Sequence, residues 1–149
     1  MTVFHLPELA DTQAFGARLA GVLRAGDLLV LSGPLGAGKT ALVQGIGAGL
    51  GVEGRIASPT FVIARVHPGP VPLVHVDAYR LGSLAEVDDL DLDVDAADVV
   101  TAVEWGAGLV EQIADERLEI LIDRSAESDE RVVTLVPHGA SWEDRVAAL

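Results

Sequence analysis

The pattern of apolar and polar residues divides the chain into buried strands and amphipathic helices. The continuously apolar runs "DLLVLS" and "DVVTAVEW" indicate strands buried on both faces, as in parallel sheets. The segment "ADTQAFGARLAGVLRAG" predicts a helix with Asp11 or Thr12 as its N-cap and Gly26 as its end. Its apolar face has helical spacing and consists of Phe15, Leu19, Val22 and Leu23.

The remaining segments predict a mixed sheet. "TVFHL" is typical of a short strand, and residues 60–77 predict an antiparallel hairpin around "HPGP". "RLEILIDRS" and "ERVVTLVPH" predict a second hairpin, while "TALVQGIGAGLG", "GAGLVEQI" and "SWEDRVAAL" predict helices, the last with Ser141 as its N-cap. Ser83 and Glu86 have the spacing of a capping box for a further short helix. We therefore expect one α/β domain over residues 1–149, with a mixed parallel and antiparallel sheet flanked by helices on both faces.

Composition and charge exclude several classes of function. The chain contains no cysteine, which excludes disulfides, thiolate metal sites and thiol catalysis. Its net charge of −13 repels polyanions, so binding to nucleic acid without a partner is not expected. The sequence "MTVFHLPEL" has no basic segment followed by an apolar one, and no apolar run reaches the ~20 residues that cross a bilayer. We expect a soluble cytoplasmic protein without a membrane partner.

One glycine-rich segment carries the strongest chemical signal. In "GPLGAGKT", Gly33, Gly38, Lys39 and Thr40 match the P-loop pattern, with a strand before it and a helix after it, which makes the expected fold P-loop NTPase-like. Lys39 is the single lysine of the chain, and its flexible ammonium suits the β- and γ-phosphates of a nucleotide better than the wide fork of an arginine. The Thr40 hydroxyl is predicted to bind Mg²⁺. We expect the Lys39 ammonium to be exposed when no nucleotide is bound.

Two carboxylates at strand ends are candidate magnesium ligands. Asp77 ends "PLVHVD" and Glu104 ends "VVTAVE", and the pattern alone does not rank them. Since Mg²⁺ takes only one or two carboxylates, we assign the longer Glu104 as the direct or water-bridged ligand and Asp77 as the supporting acid. Thr60, in "SPTF", is predicted to contact the γ-phosphate or its metal.

Several alternatives are weighed against this assignment. The single lysine leaves none for a guanine-reading N-K-x-D motif, which disfavours GTP. A small-molecule P-loop kinase and a nucleotide sensor without turnover remain open. No arginine lies in an obvious position to complete the site, and only Arg55, Arg65 and Arg80 lie near enough in sequence to be considered. The four histidines lack metal-ligand spacing and are expected to be structural, although the position of His75, two residues before Asp77, allows it to face the site.

Five motifs in order resemble one protein family. "LPELADT", "GPLGAGKT", "SPTF", "HVDAYRL" and "VEW", from Leu6 to Trp105, are similar to those of TsaE (YjeE), the small bacterial ATPase of tRNA threonylcarbamoyladenosine synthesis. Ala41 and Gly106 depart from the family pattern, where a second hydroxyl residue and a proline are common. The resemblance extends the predicted nucleotide-contacting set to Thr12, Gly33, Leu35, Gly36, Ala37, Gly38, Lys39, Thr40 and Ala41.

The resemblance also implies an activity and partners. Hydrolysis of ATP with Mg²⁺ is expected to be coupled to a TsaB–TsaD assembly that modifies adenosine 37 of tRNA. The isolated chain is expected to be a monomer with slow hydrolysis, to be stimulated by its partners, and to reach tRNA only through them.

Overall fold

The central element of the structure is one sheet of seven strands. The computed structural model describes residues 2–33, 38–52, 64–77, 98–104, 116–124 and 130–149. The strands are β1 (Thr2–Leu6), β2 (Leu28–Ser32), β3 (Ala64–His67), β4 (Leu73–Asp77), β5 (Val100–Glu104), β6 (Arg117–Arg124) and β7 (Arg131–His138). Their order across the sheet is β1-β7-β6-β2-β5-β4-β3.

The sheet is mixed, as predicted, with a parallel middle and antiparallel pairs at both sides. The neighbours β6, β2, β5 and β4 run parallel, whereas β3, β7 and β1 pair antiparallel with their neighbours. Every residue of β5 is buried, and so are the first four of β2, which confirms the interpretation of their apolar runs. Both predicted hairpins are present within the described residues, as β3–β4 and β6–β7.

Three helices lie within the described residues: α1 (Leu9–Ala20), α2 (Lys39–Leu50) and α3 (Ala140–Ala147). Their apolar side chains join those of the sheet in one core, which includes Phe15, Leu19, Leu42, Ile46, Trp142 and Val146. The α/β class with a mixed sheet is confirmed. The short helix predicted to begin at Ser83 and the helix predicted at 106–113 lie outside the described residues. No helix within the described ranges is long and apolar enough to cross a membrane.

The predicted ends of two helices were wrong. The N-cap of α1 is Glu8, because its backbone N–H donates to Asp11 Oδ2 at 2.9 Å in a capping box, so Asp11 and Thr12 lie inside the helix. Helix α1 ends at Ala20 with Gly21 as its C-cap, well before Gly26. The N-cap of α3 is Gly139 rather than Ser141, which lies in its first turn.

Helices α1 and α2 pack at unusually close range because both present small residues. A methyl group on Gly16 would lie 2.5 Å from the Leu42 carbonyl oxygen, and one on Gly45 would lie 2.1 Å from that of Gln13. Glycine weakens a helix by roughly 1 kcal/mol relative to alanine, so these glycines act against helix propensity. The close backbone approach explains why α2 contains them, and it fixes the start of α2 relative to α1.

Helix α3 is tied to the start of β2 by a buried ion pair. The Arg145 guanidinium donates to both carboxylate oxygens of Asp27, at 2.7 and 3.0 Å, and to the Val22 carbonyl at 3.0 Å. It also stacks over the Trp142 ring, 3.6 Å from its centroid. The side chains of Arg145 and Asp27 are only 10% and 9% exposed, so neither charge can rely on water for compensation.

Candidate functional site

Four parallel strands bring chemically active residues to one edge of the sheet. Parallel strands end on the same side, so the glycine segment that follows β2 lies beside the ends of β5 and β4. In the register, Glu104 is paired with Leu31 of β2 on one side and with Asp77 of β4 on the other. The predicted phosphate loop and both predicted carboxylate positions therefore share this edge.

Both described ends of the glycine segment require glycine. Gly33 lies so close to β6 that a methyl group on it would be 2.2 Å from the Ile122 carbonyl oxygen. Gly38 has a φ of 105°, a left-handed conformation that favours glycine, and it is the N-cap of α2. The chain thus enters the helix with the unpaired N–H groups of its first turn at the sheet edge.

The Lys39 side chain is buried and bonds the residue that follows the end of β2. It is 6% exposed, and its Nζ donates to the Gly33 carbonyl oxygen at 2.5 Å. The expectation of an exposed ammonium was therefore wrong, because the ammonium bonds the carbonyl of the first glycine of the motif. This bond holds a cation between Gly33 and the start of α2.

The structure adds one cation that the sequence did not indicate. Arg131 begins β7 and is paired in register with Arg124 of β6. A methyl group on Gly38 would lie 3.3 Å from Arg131 Nε and 3.8 Å from its Cδ, so this side chain passes the start of α2. Arg131 is 92 residues from Lys39 in the chain. The predicted hairpin of β6 and β7 could have indicated Arg131, because antiparallel pairing places the first residue of β7 at the edge where β6 ends.

Glu104 lies almost entirely inside the protein and contacts a histidine. It is 5% exposed, and its Oε2 accepts a hydrogen bond at 2.5 Å from Nε2 of His75, which is fully buried. The contact joins β4 to β5 immediately below the sheet edge. His75 was expected to be structural, with a position that allowed it to face the site; the structure places it directly against a predicted site residue.

The other predicted site residues are only partly described. Thr40 is half-buried in the first turn of α2, and the methyl group of Ala41 is buried. Thr12 is 1% exposed, and within the described residues its Oγ1 has no hydrogen-bond partner. The backbone of Asp77 is described but its side chain is not. Outside the described residues lie Leu35, Gly36, Ala37 and Thr60.

The electrostatics of this edge favour an anionic ligand. The start of a helix is positive, and the first turn of α2 contains a lysine and no acidic residue. Arg131 adds a second side-chain cation close to the same helix start. Among the described residues, His, Asp and Glu side chains form no cluster of three that could hold a metal ion by themselves. The two cations and the helix start suit an anionic group such as phosphate.

Comparison with known proteins gives a consistent result. The sequence model of a family described as "Threonylcarbamoyl adenosine biosynthesis protein TsaE" matches residues 6–133. A Streptomyces coelicolor protein named tRNA threonylcarbamoyladenosine biosynthesis protein TsaE is 59% identical over 85% of this chain and 90% of its own length. A Bacillus subtilis protein of the same name is 39% identical over 89% of this chain and 84% of its own.

A solved structure shares the fold. The crystal structure of YdiB from Bacillus subtilis aligns with a TM-score of 0.82 and 32% sequence identity. The alignment covers 99% of this chain and 92% of the YdiB chain. The arrangement of strands and helices described above is therefore similar to that of a known protein over nearly the whole chain.

Proposed function

This chain belongs to the TsaE family of threonylcarbamoyladenosine biosynthesis proteins, and from that premise we propose that it binds ATP with Mg²⁺ at the loop between β2 and α2 and hydrolyses it slowly. The observation that carries the proposal is the buried Lys39 ammonium, which bonds the Gly33 carbonyl oxygen at the start of a helix. The positive start of a helix and a side-chain cation beside it both favour a phosphate group there.

The phosphate chain is proposed to lie against the start of α2. The N–H groups of the loop and of the first turn of α2 would donate to phosphate oxygens, and Lys39 would exchange its bond to the Gly33 carbonyl for the β- and γ-phosphates. Arg131 would add positive charge on the Gly38 side of the loop. Thr12, whose buried Oγ1 has no partner among the described residues, is a candidate contact for the rest of the nucleotide.

Mg²⁺ is proposed to bind together with the phosphates. Thr40 is the predicted hydroxyl ligand, and Glu104 is the predicted carboxylate, direct or through water, with Asp77 in support. When bound, the ion would neutralise the charge that develops on the transferred phosphoryl group. Mg²⁺ usually binds one or two carboxylates and keeps several waters, so a site with few acidic side chains is compatible with it.

Hydrolysis is proposed to be coupled to the other proteins of the modification pathway. The expected partners are TsaB and TsaD homologues, which follow from the family resemblance. The net charge of −13 repels tRNA, so contact with tRNA is proposed to occur through those partners.

Ligand-dependent stabilisation tests the phosphate role directly. ATP with Mg²⁺ at a hundred times its dissociation constant should stabilise the parent by ~2.7 kcal/mol. For a chain of this length, that free energy corresponds to an increase in Tm of about 5 to 11 °C. Lys39→Met keeps the length of the side chain but removes the ammonium. Relative to its own Tm without ligand, this variant should therefore show little of the increase in Tm that ATP with Mg²⁺ produces in the parent.

A matched control separates this effect from a general loss of positive charge. Arg24 is exposed and precedes β2, at the opposite sheet edge, so Arg24→Gln should keep the full increase. An equal increase in the parent and in Lys39→Met would contradict the phosphate role. Release of inorganic phosphate from ATP identifies an ATPase; phosphate on an acceptor would indicate a kinase, and binding without release a nucleotide sensor.

A further inference from the structure

His75 and Glu104 form a hydrogen bond between two buried polar side chains. Both lie on the same face of the sheet, because His75 is paired in register with Ala102, two residues before Glu104. Ala102, the register partner of His75, has only a methyl side chain, which is compatible with an imidazole that extends toward Glu104. Neither group gains much from water, since they are 0% and 5% exposed.

Structural stability alone does not account for the pair. A buried polar or ionic pair is often no more stabilising than apolar residues of similar volume, because both groups lose their hydration. Within the described residues, His75 Nδ1 has no hydrogen-bond partner, which adds a further desolvation cost. What the pair does provide is a defined orientation for Glu104, which could otherwise rotate about its side-chain bonds.

The hydrogen bond from His75 engages one of the two oxygens of the Glu104 carboxylate. The carboxylate can only accept, so His75 donates from Nε2, and it donates to Oε2. Oε1 is then the oxygen that remains for a ligand at the sheet edge. In metal sites, a hydrogen bond from a neighbouring side chain commonly fixes the orientation of a ligating group in this way.

We propose that His75 is a positioning residue that orients the Glu104 carboxylate toward Mg²⁺ bound with ATP. The inference rests on the proposed function and adds to it the residue that prepares the metal ligand. Its effect should appear in the affinity for Mg²⁺ and not in the affinity for the nucleotide without metal.

Two variants of His75 differ only in the reach of their amide. In His75→Gln the amide nitrogen is as many bonds from Cβ as Nε2 of histidine is, so it can still donate to Glu104. In His75→Asn the amide is one bond shorter and corresponds to Nδ1, so it cannot reach. The measurement is the Mg²⁺ concentration at half-saturation of the ATP-dependent increase in Tm, together with ATP binding in EDTA.

His75→Asn should raise the half-saturating Mg²⁺ concentration by roughly 10- to 100-fold, the usual effect of losing such a partner. His75→Gln should remain close to the parent, and both variants should bind ATP in EDTA as the parent does. His67→Gln is the control: His67 is also buried, but it is paired with Leu73 at the far end of β4, about 13 Å along the strand from Asp77. It should leave the Mg²⁺ dependence unchanged.

A lower unliganded Tm for His75→Asn with an unchanged Mg²⁺ dependence would overturn the inference and assign His75 a purely structural role. Equal weakening in the Asn and Gln variants would also overturn it, because restoring the donor would then have no effect. A parent that shows an ATP-dependent increase independent of Mg²⁺ would contradict the metal part of the inference alone. A parent without any response to ATP would contradict the proposed function itself.

Discussion

Replacing Gly45 by alanine tests the close packing of α1 against α2, the helix that follows the glycine segment. The new methyl group would lie 2.1 Å from the Gln13 carbonyl oxygen, 2.8 Å from its carbonyl carbon and 3.0 Å from its Cα. An ordinary contact begins near 3.4 Å, so the two helix backbones would have to separate locally by about 1.3 Å. Since the atoms in contact belong to a helix backbone, no side-chain rotation can relieve the clash.

The expected cost follows from two opposing contributions. Overpacking of this kind destabilises a protein by roughly 1–3 kcal/mol and sometimes more, while alanine in place of glycine favours a helix by about 1 kcal/mol. Because the clash is with backbone, we place the overpacking contribution at or above the upper end of that range. We therefore expect Gly45→Ala to lower the free energy of unfolding by about 2 kcal/mol or more, which corresponds to a decrease in Tm of at least about 4–8 °C.

Urea denaturation followed by circular dichroism measures this loss, with Gly21→Ala as the control. Gly21 is the C-cap of α1 and has a right-handed φ of −63°, and the nearest atom to an added methyl group is in its own helix, the Arg18 carbonyl oxygen at 3.2 Å. Gly21→Ala should change stability by no more than about 0.5 kcal/mol. If Gly45→Ala is as stable as the control, the close approach of α1 and α2 does not constrain the fold as described.

Two further predictions concern the charged side chains. Arg145→Met should lower the free energy of unfolding by about 3–5 kcal/mol, because it leaves Asp27 buried without its cation. Urea denaturation measures the loss, and a loss below about 1 kcal/mol, which is typical of exposed pairs, would contradict the prediction. Glu104→Ala should weaken Mg²⁺-dependent ATP binding and hydrolysis together, whereas Asp77→Ala should mainly lower turnover at saturating Mg²⁺. If only Asp77→Ala changes the Mg²⁺ titration, the two roles are reversed.

Much of the fold could be predicted because apolar patterning depends on local sequence. The run "DLLVLS" and the run that ends at Glu104 have no polar face, and such strands must lie in the middle of a parallel sheet. The helix ends were harder to predict. Asp11 is a favourable N-cap residue by type, but here it completes a capping box with Glu8, a choice that depends on where the chain leaves β1.

The site was most predictable where a motif is contiguous or where a buried strand ends in a carboxylate. Gly33 and Lys39 belong to one short segment, so their roles could be inferred before the fold was known. The position of His75 two residues before Asp77 allowed it to face the site, but its contact with Glu104 and the approach of Arg131 to Gly38 depend on strand order and register. The burial of Lys39 likewise depends on how closely Lys39 and Gly33 approach each other, since the ammonium donates to the Gly33 carbonyl oxygen, six residues earlier.

A crystal structure with Mg²⁺ and a non-hydrolysable ATP analogue tests the central claim most directly, namely that the edge where β2, β4 and β5 end binds ATP with its metal. We predict phosphates at the start of α2, Lys39 Nζ moved from the Gly33 carbonyl to the phosphates, and Mg²⁺ bound to Thr40 at about 2.0–2.1 Å with Glu104 as a direct or water-bridged ligand. A nucleotide bound elsewhere, or a metal held without Glu104 while Lys39 keeps its bond to Gly33, would contradict the account.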